Sequence, residues 1–422
     1  MAQIEKNYKG RAYANYLFFA GVVLLFSSCI TTKKFELYQS EVSKSMSELK
    51  KDMALGLDSL NNRLQNEQIE QKRAKQTIDN LNNRIIDLNS EISNLKKENQ
   101  VILQKITDLI QIAKRHDFTP EEAEKVYFIS REYLRIKQAT PKEQFVERSN
   151  ASSPYSMGIV KSDVLQLAVD NVNLARYIAG VPNTVKLDND LIKYVQSAAV
   201  TMDALNDLTH YPSQPSDMPQ DFFDNAEEGA KSSNIASGPN LPESVWLYME
   251  DSDPSNINVV GHRRWVLSPI MGKTAFGLSG RYSAMYVFDK SENYKPEKGY
   301  IAWPCDLFPI NEMYNHLGWS FSFDARIYSI SDINSLSVVL KRKSDNQTWV
   351  MMPGEDMANG QYCNVDSSGC GYGDKTIIFR PPYTNEINIY GKNDIFTVTI
   401  IGLSKPVQYT VKFFDVNDVN QY

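Results

Sequence analysis

The longest regular pattern in this chain runs from Leu57 to Leu109, where apolar residues return at alternating spacings of three and four. In heptad register the a positions are Leu57, Leu64, Gln71, Ile78, Ile85, Ile92, Asn99 and Ile106. The d positions are Leu60, Glu67, Ala74, Leu81, Leu88, Leu95, Ile102 and Leu109. A 3.5-residue period held this long predicts a coiled coil rather than a helix packed on its own globular domain. Isoleucine at a with leucine at d favours a parallel homodimer, and Asn99 at a suits a register-fixing role. Gln71, Glu67 and Ala74 form a weaker patch. At ~1.5 Å per residue the seam would span ~80 Å.

Downstream the helical pattern shortens. Thr119, Pro120 and Glu122 read as N-cap, first-turn proline and capping-box acid of a helix running to about Gln138. Ser149 to Ser156 is a polar, proline-containing linker. Ser162 is expected to cap a helix with Val164, Leu165, Ala168, Val169, Val172 and Ala175 as its apolar stripe, ended by Gly180 and Pro182. Asp188 starts another, with Leu191, Val195, Ala198, Met202 and Leu205 on one face. A short helix follows Pro242. After Pro269 the period changes to two, with Tyr282, Ala284, Tyr286 and Phe288 alternating with Ser283, Met285, Val287 and Asp289.

Strand-like runs then recur at 319–324, 335–341, 348–352, 375–379, 395–401 and 407–414. Helices followed by strands predict an α+β chain with a β-sandwich-like extension. The expected parts are a signal at 1–28, a stalk at 29–115, a helical connector at 116–148, a head at 149–300 and a β-rich domain at 301–422.

Composition adds context. The 422 residues are 42% hydrophobic and 23% charged, an ordinary globular balance, and the net charge of −6 comes without a basic block. That argues against a nucleic-acid partner. Lys6, Lys9 and Arg11 precede an apolar run, Tyr16 to Phe26, too short to span a bilayer comfortably. Ser27 and Ser28 then lead to Cys29. The segment resembles a bacterial lipoprotein signal, with Phe26 where leucine is commoner. The resemblance implies cleavage before Cys29, lipidation of its thiol and a membrane partner. It implies a cell-envelope location, the outer membrane facing the periplasm first, with the surface or inner membrane as alternatives. An exported location also permits a disulfide between Cys363 and Cys370, which bracket a short glycine-containing loop. Cys305 is left unpaired and is expected to be buried beside Trp303.

Five short motifs follow one another through the head. Asn171, Asn173, Arg176 and Gly180 come first, then Thr209-His210-Tyr211, then Ser233-Asn234-Ile235-Ala236-Ser237-Gly238, then Trp246 ahead of an acidic run, then Gly261-His262-Arg263. In this order they resemble the CAP superfamily (cysteine-rich secretory, antigen-five and pathogenesis-related proteins) over roughly Ser162 to Asp289. The stretch Ala302-Trp303-Pro304, Phe308-Pro309 and Trp319-Ser320 is similar to a β-extension found after some bacterial CAP domains. The resemblance implies an α-β-α sandwich whose cleft is lined by two histidines and two carboxylates. The histidines fall on His210 and His262, and one carboxylate on Glu250 or Asp251. Ser233 stands where the family has its second carboxylate, with Asn234 beside it. Glu227 or Glu228 is a possible substitute. His116 and His316 fall outside the set.

Two imidazoles and a carboxylate can hold zinc with an open position, or act as general acid and base. A structural role for His262 and Arg263, holding loops by hydrogen bonds, stands beside the binding role. No HExxH spacing or serine nucleophile elbow is present, and none of the cysteines reads as catalytic. The expectation is no catalytic residue and no cofactor, with weak divalent-metal binding left open. The leading expectation is a lipid-anchored envelope protein that presents a ligand-binding head on a stalk. A metal-assisted hydrolase acting on peptide or wall material is one alternative, and a structural spacer is the other.

Overall fold

The computed structural model describes residues 69–116, 118–238, 240–354, 360–384 and 388–418. The signal segment, Cys29 and the heptad positions through Glu67 lie outside the described residues. The chain divides into two compact units, Met1–Gln111 and Ile112–Tyr422, and is α+β.

Helix α1 runs Ile69–His116. Along it the a and d residues Leu81, Leu88, Ile92, Leu95, Asn99, Ile106 and Leu109 are half-buried, as are Lys105, Ile110 and Gln111 off that seam. Ile78, Ile85 and Ile102 of the same seam are exposed. No helix among the described residues is long and apolar enough to cross a membrane.

The second unit opens with α2, Pro120–Ala139. Its capping box is complete: Thr119 Oγ1 accepts from the Glu122 amide and Glu122 accepts from the Thr119 amide. Strands β1 (Phe145–Glu147) and β2 (Ile159–Val160) pair antiparallel, so the polar Ser149–Ser156 stretch is the loop between them. Helix α3, Ser162–Ile178, buries its whole predicted stripe. Lys161 is its N-cap, and Ser162 is the first helical residue. Gly180, at φ 70°, reverses the chain after it.

A single helical turn at Asn189–Leu191, capped by Asp188, leads into α4, Ile192–Leu205. Then come α5 (Gln220–Lys231), β4 (Ser233–Ser237), α6 (Leu241–Glu250) and α7 (Gly261–Val266). Short β3 (Lys186–Leu187) and β5 (Lys273–Thr274) pair in parallel. Strands β6 (Phe276–Ser279) and β7 (Tyr282–Tyr286) complete a three-stranded antiparallel sheet in the order β4-β7-β6.

Helices lie against both faces of that sheet. Tyr282 and Ala284 share one apolar cluster with Val195, Ala198 and Met202 of α4. Ser283, of the opposite parity, meets the Tyr248 hydroxyl of α6 at 3.2 Å. Strand β7 is therefore buried from Tyr282 through Met285 rather than on alternate residues. Two glycines allow the close packing: a Cβ would come within 2.2 Å of the Val195 carbonyl at Gly277, and within 2.1 Å of the Tyr194 carbonyl at Gly229.

The β-rich part holds two sheets. One runs β13 (Tyr362–Asp366), β14 (Lys375–Arg380), β10 (Trp319–Phe323), β8 (Tyr300–Trp303). The other runs β12 (Thr348–Met351), β11 (Ser337–Arg342), β15 (Ile395–Ile401), β16 (Val407–Phe414), β9 (Asp306–Pro309), with β9 parallel to β16. Trp319 of the first sheet meets Phe396 and Phe413 of the second at ring distances of 6.0 and 6.3 Å, so the sheets share one aromatic core.

The expected disulfide is not formed. Cys363 is fixed in β13 opposite Phe379, and the turn after Asp366 carries Cys370 against Gly261 of α7 instead. Cys305 is buried as expected, its thiol donating to the Ile178 carbonyl at 3.1 Å.

Candidate functional site

The two head histidines come together. His210 sits in the loop between α4 and α5, and His262 is the second residue of α7. Their rings stack at a centroid distance of 6.3 Å and an interplanar angle of 24°. Tyr248 lies on His262 at 6.0 Å and 29°.

Each ring is held by one nitrogen. His262 Nδ1 is 2.8 Å from Asp251 Oδ1, and His210 Nδ1 is 2.8 Å from the Ala230 carbonyl oxygen. Those oxygens accept, so in each ring the proton belongs on Nδ1 and Nε2 is left for a ligand. This is the way an outer partner orients a histidine in a binding site.

Asp251 is the α6 C-cap, at φ 45°, and its side chain is fully buried. The left-handed cap turns the chain so that Asp251 also accepts from the Arg263 amide at 3.2 Å. Burial alone would lower the His262 pKa, but the Asp251 hydrogen bond and the charges of Asp251 and Asp253 outweigh it and raise it above 6.5. Burial pushes the Tyr248 hydroxyl up to about 12, which keeps it a neutral donor. Val260, immediately before α7, also has φ 46° and is fully buried. A β-branched residue held there is a conformational outlier. Both ends of the 251–260 loop are thus left-handed.

The expected carboxylate set is redistributed. Asp251 serves His262. Glu250, the adjacent residue, faces elsewhere and bonds His316 Nε2 at 2.6 Å. His316, outside the pair of cleft histidines, thus has a carboxylate partner of its own, 66 residues away in sequence. Ser233 is buried, and its hydroxyl has no hydrogen-bond partner among the described residues. Glu227 is engaged with Lys231 at 2.7 Å. Glu228 acts on Tyr286, whose pKa is raised by burial first and by the nearby carboxylates second. Asn234 donates to the His262 carbonyl at 2.9 Å and so positions α7.

The other signature residues are braces. Asn171 donates to the Pro242 carbonyl and Asn173 exchanges two bonds with Val185. The buried Arg176 guanidinium binds the carbonyls of Pro182, Val266, Ser268 and Met271. Arg263 does the same for Met249, Glu250 and Gly318, and adds the Ser320 hydroxyl. Arg264 pairs with Asp366 at 2.5 Å, and Trp265 packs on Phe288 at 4.8 Å.

A divalent ion would need a third protein ligand beside the two Nε2 atoms. Among the described residues no group of three His, Cys, Asp or Glu side chains converges to hold one.

The chain matches no protein-family model, no curated protein and no solved structure, so its likeness to the CAP superfamily rests on the five motifs themselves.

Proposed function

We propose that this protein is a lipid-anchored component of a bacterial cell envelope whose CAP-like head binds a polar envelope ligand between His210 and His262. One observation carries the reading. The two stacked imidazoles are each fixed through Nδ1, by Ala230 and Asp251, which leaves a pair of Nε2 atoms with no described partner. The order of the five motifs and the helices on both faces of the β4-β7-β6 sheet agree with an α-β-α head of that superfamily.

Lipidation of Cys29 is the anchor in this reading, and a parallel coiled-coil dimer is the spacer. The exposed Ile78, Ile85 and Ile102 support the dimer, because water is a poor neighbour for one a/d seam on a helix of this length.

Binding of soluble wall fragments and of lipid vesicles to the full-length protein tests the head. His210→Asn and His262→Asn should each weaken binding of whichever probe is bound by native protein. Unchanged binding by the double variant would remove the cleft from the function. The scaffold reading would stand if native protein bound neither probe.

A further inference from the structure

The loop that leads from Asp251 to His262 is gripped by the β-rich part. Strands β13 and β14 form an antiparallel hairpin. From it the Tyr362 hydroxyl donates to Asn258 Oδ1 at 2.6 Å, and the Asn364 side-chain amide donates to the Asn258 carbonyl at 2.8 Å. Asp366, at the end of β13, pairs with Arg264 of α7. The turn between the two strands touches α7 as well, since a Cβ on Gly371 would come within 2.0 Å of the Arg264 carbonyl.

Val260 lies between these contacts and His262. It is wholly buried in a cluster with Ile257 of its own loop, Tyr362 of β13 and Ile378 of β14. Its φ of 46° is a conformation that a β-branched residue keeps only where its surroundings impose it. The Val260 amide donates to the Asn256 carbonyl at 2.8 Å, and its carbonyl accepts from the Arg264 amide at 3.1 Å. The turn at Val260 therefore sets the direction in which α7 starts. His262 and Arg263 follow at once, and the His262 ring and the Arg263 amide are the donors that meet Asp251. Burial pushes the Tyr362 hydroxyl up to about 12, which keeps it a donor toward Asn258. If Val260 relaxed to right-handed or extended backbone, α7 would swing and carry the His262 ring off Asp251.

We propose that Tyr362 and Asn364 are positioning residues for the histidine cleft: the hairpin holds Val260 in its left-handed conformation, and that conformation keeps His262 on Asp251. The inference rests on the cleft reading for its purpose, but its readout needs no ligand. Glycine takes a positive φ without strain and would need no clamp at position 260. Valine does need one, which makes the geometry of the cleft depend on a hairpin that contributes no residue to it. A purely supporting role for Tyr362 predicts something different: loss of stability with the surroundings of His262 unaltered.

The test follows the titration of His262 in the full-length protein in detergent. Its rate of carbethoxylation by diethylpyrocarbonate is measured against pH, with peptide mass spectrometry to separate the four histidines. Only the neutral imidazole reacts. The groups that face His262 are the charges of Asp251 and Asp253 and the rings of His210 and Tyr248. The native midpoint should lie above 6.5, raised by the Asp251 bond. Tyr362→Ala should lower it, because the ring leaves Asp251. Where Tyr362→Ala does not fold, Tyr362→Phe combined with Asn364→Ala takes its place; it keeps the aromatic ring, cuts both ties to Asn258 and should shift the midpoint the same way. Adding Val260→Gly to either variant should restore the midpoint while the melting temperature stays below native, since glycine supplies the conformation but not the packing. An unchanged midpoint in the folded variant overturns the proposal. So does a fall that Val260→Gly leaves in place. If native protein binds neither wall fragments nor vesicles, the ligand reading falls, and the midpoint still decides the positioning claim.

Discussion

His262 makes the bond on which the candidate cleft depends, and its removal has two separable consequences. Asp251 is fully buried and, among the described residues, accepts from the His262 ring and the Arg263 amide. His262→Ala takes away one of these donors and should cost ~1–3 kcal/mol, measured by urea melts. The pH dependence has a definite sign. The native pKa of His262 is raised above 6.5, so its contribution is full below 6.5 and is lost as pH rises through the raised native value. Glu312, pushed up to about 7 by burial, also makes the fold less stable as pH rises from the ordinary carboxylate range. The difference between native protein and His262→Ala cancels that shared term. It should be largest in weak acid and shrink toward alkaline pH; parallel stability curves would sink the assignment. Two of these residue roles were open to sequence and two were not. His210 and His262 stand in recognisable motifs. The choice between Glu250 and Asp251 depends on a left-handed cap that sends neighbouring carboxylates apart, and the His316 partnership crosses 66 residues. Tyr248, against His262, reads in sequence only as one more aromatic of α6.

Elements were legible where their apolar residues were large and periodic. The stripe of α3 and the capping box of α2 are visible as written in the chain, and so are strands β10, β11, β12, β14, β15 and β16 to within two residues. Helix α5 was not, because it buries only Ala226, Gly229 and Ala230, whose small side chains leave little apolar signal. Helix α7 is six residues long and gets its order from Arg263 and Asn234 rather than from propensity. Strand β13 was hidden by the expectation of a disulfide loop at Cys363. The heptad seam is the strongest periodic signal of all and bears its own prediction. A peptide spanning Leu57 to Leu109 should be helical and dimeric, since a lone helix cannot cover its a and d residues. Sedimentation equilibrium that finds a monomer at high micromolar concentration would end the stalk proposal. A trimer would revise the stoichiometry and require another role for Asn99.

At the scale of the whole molecule, the anchor and the joint between head and β-rich part make independent predictions. Cys29→Ser should abolish incorporation of a fatty-acid analogue, because no thioether to lipid can form; equal labelling of variant and native protein would remove the anchor. The joint turns on Arg263. Its guanidinium is wholly buried and binds the end of α6 through the Met249 and Glu250 carbonyls. It binds the start of β10 through the Gly318 carbonyl and Ser320. Burial lowers its pKa to about 10, against the pull of Asp251 and Glu250, which still leaves it charged at neutral pH. Arg264 adds an ion pair from α7 to Asp366 on β13. Residues on either side of position 300 thus share buried polar contacts, although the change from helical to alternating pattern in the sequence invites a boundary there. The second unit should therefore unfold in one calorimetric transition. Arg263→Met retains the bulk of the side chain but strands three carbonyls in a dry site, so it should cost more than about 3 kcal/mol and broaden or split that transition. Two resolved transitions in the native protein would mean that head and β-rich part unfold separately, with Arg263 a brace confined to its own loop.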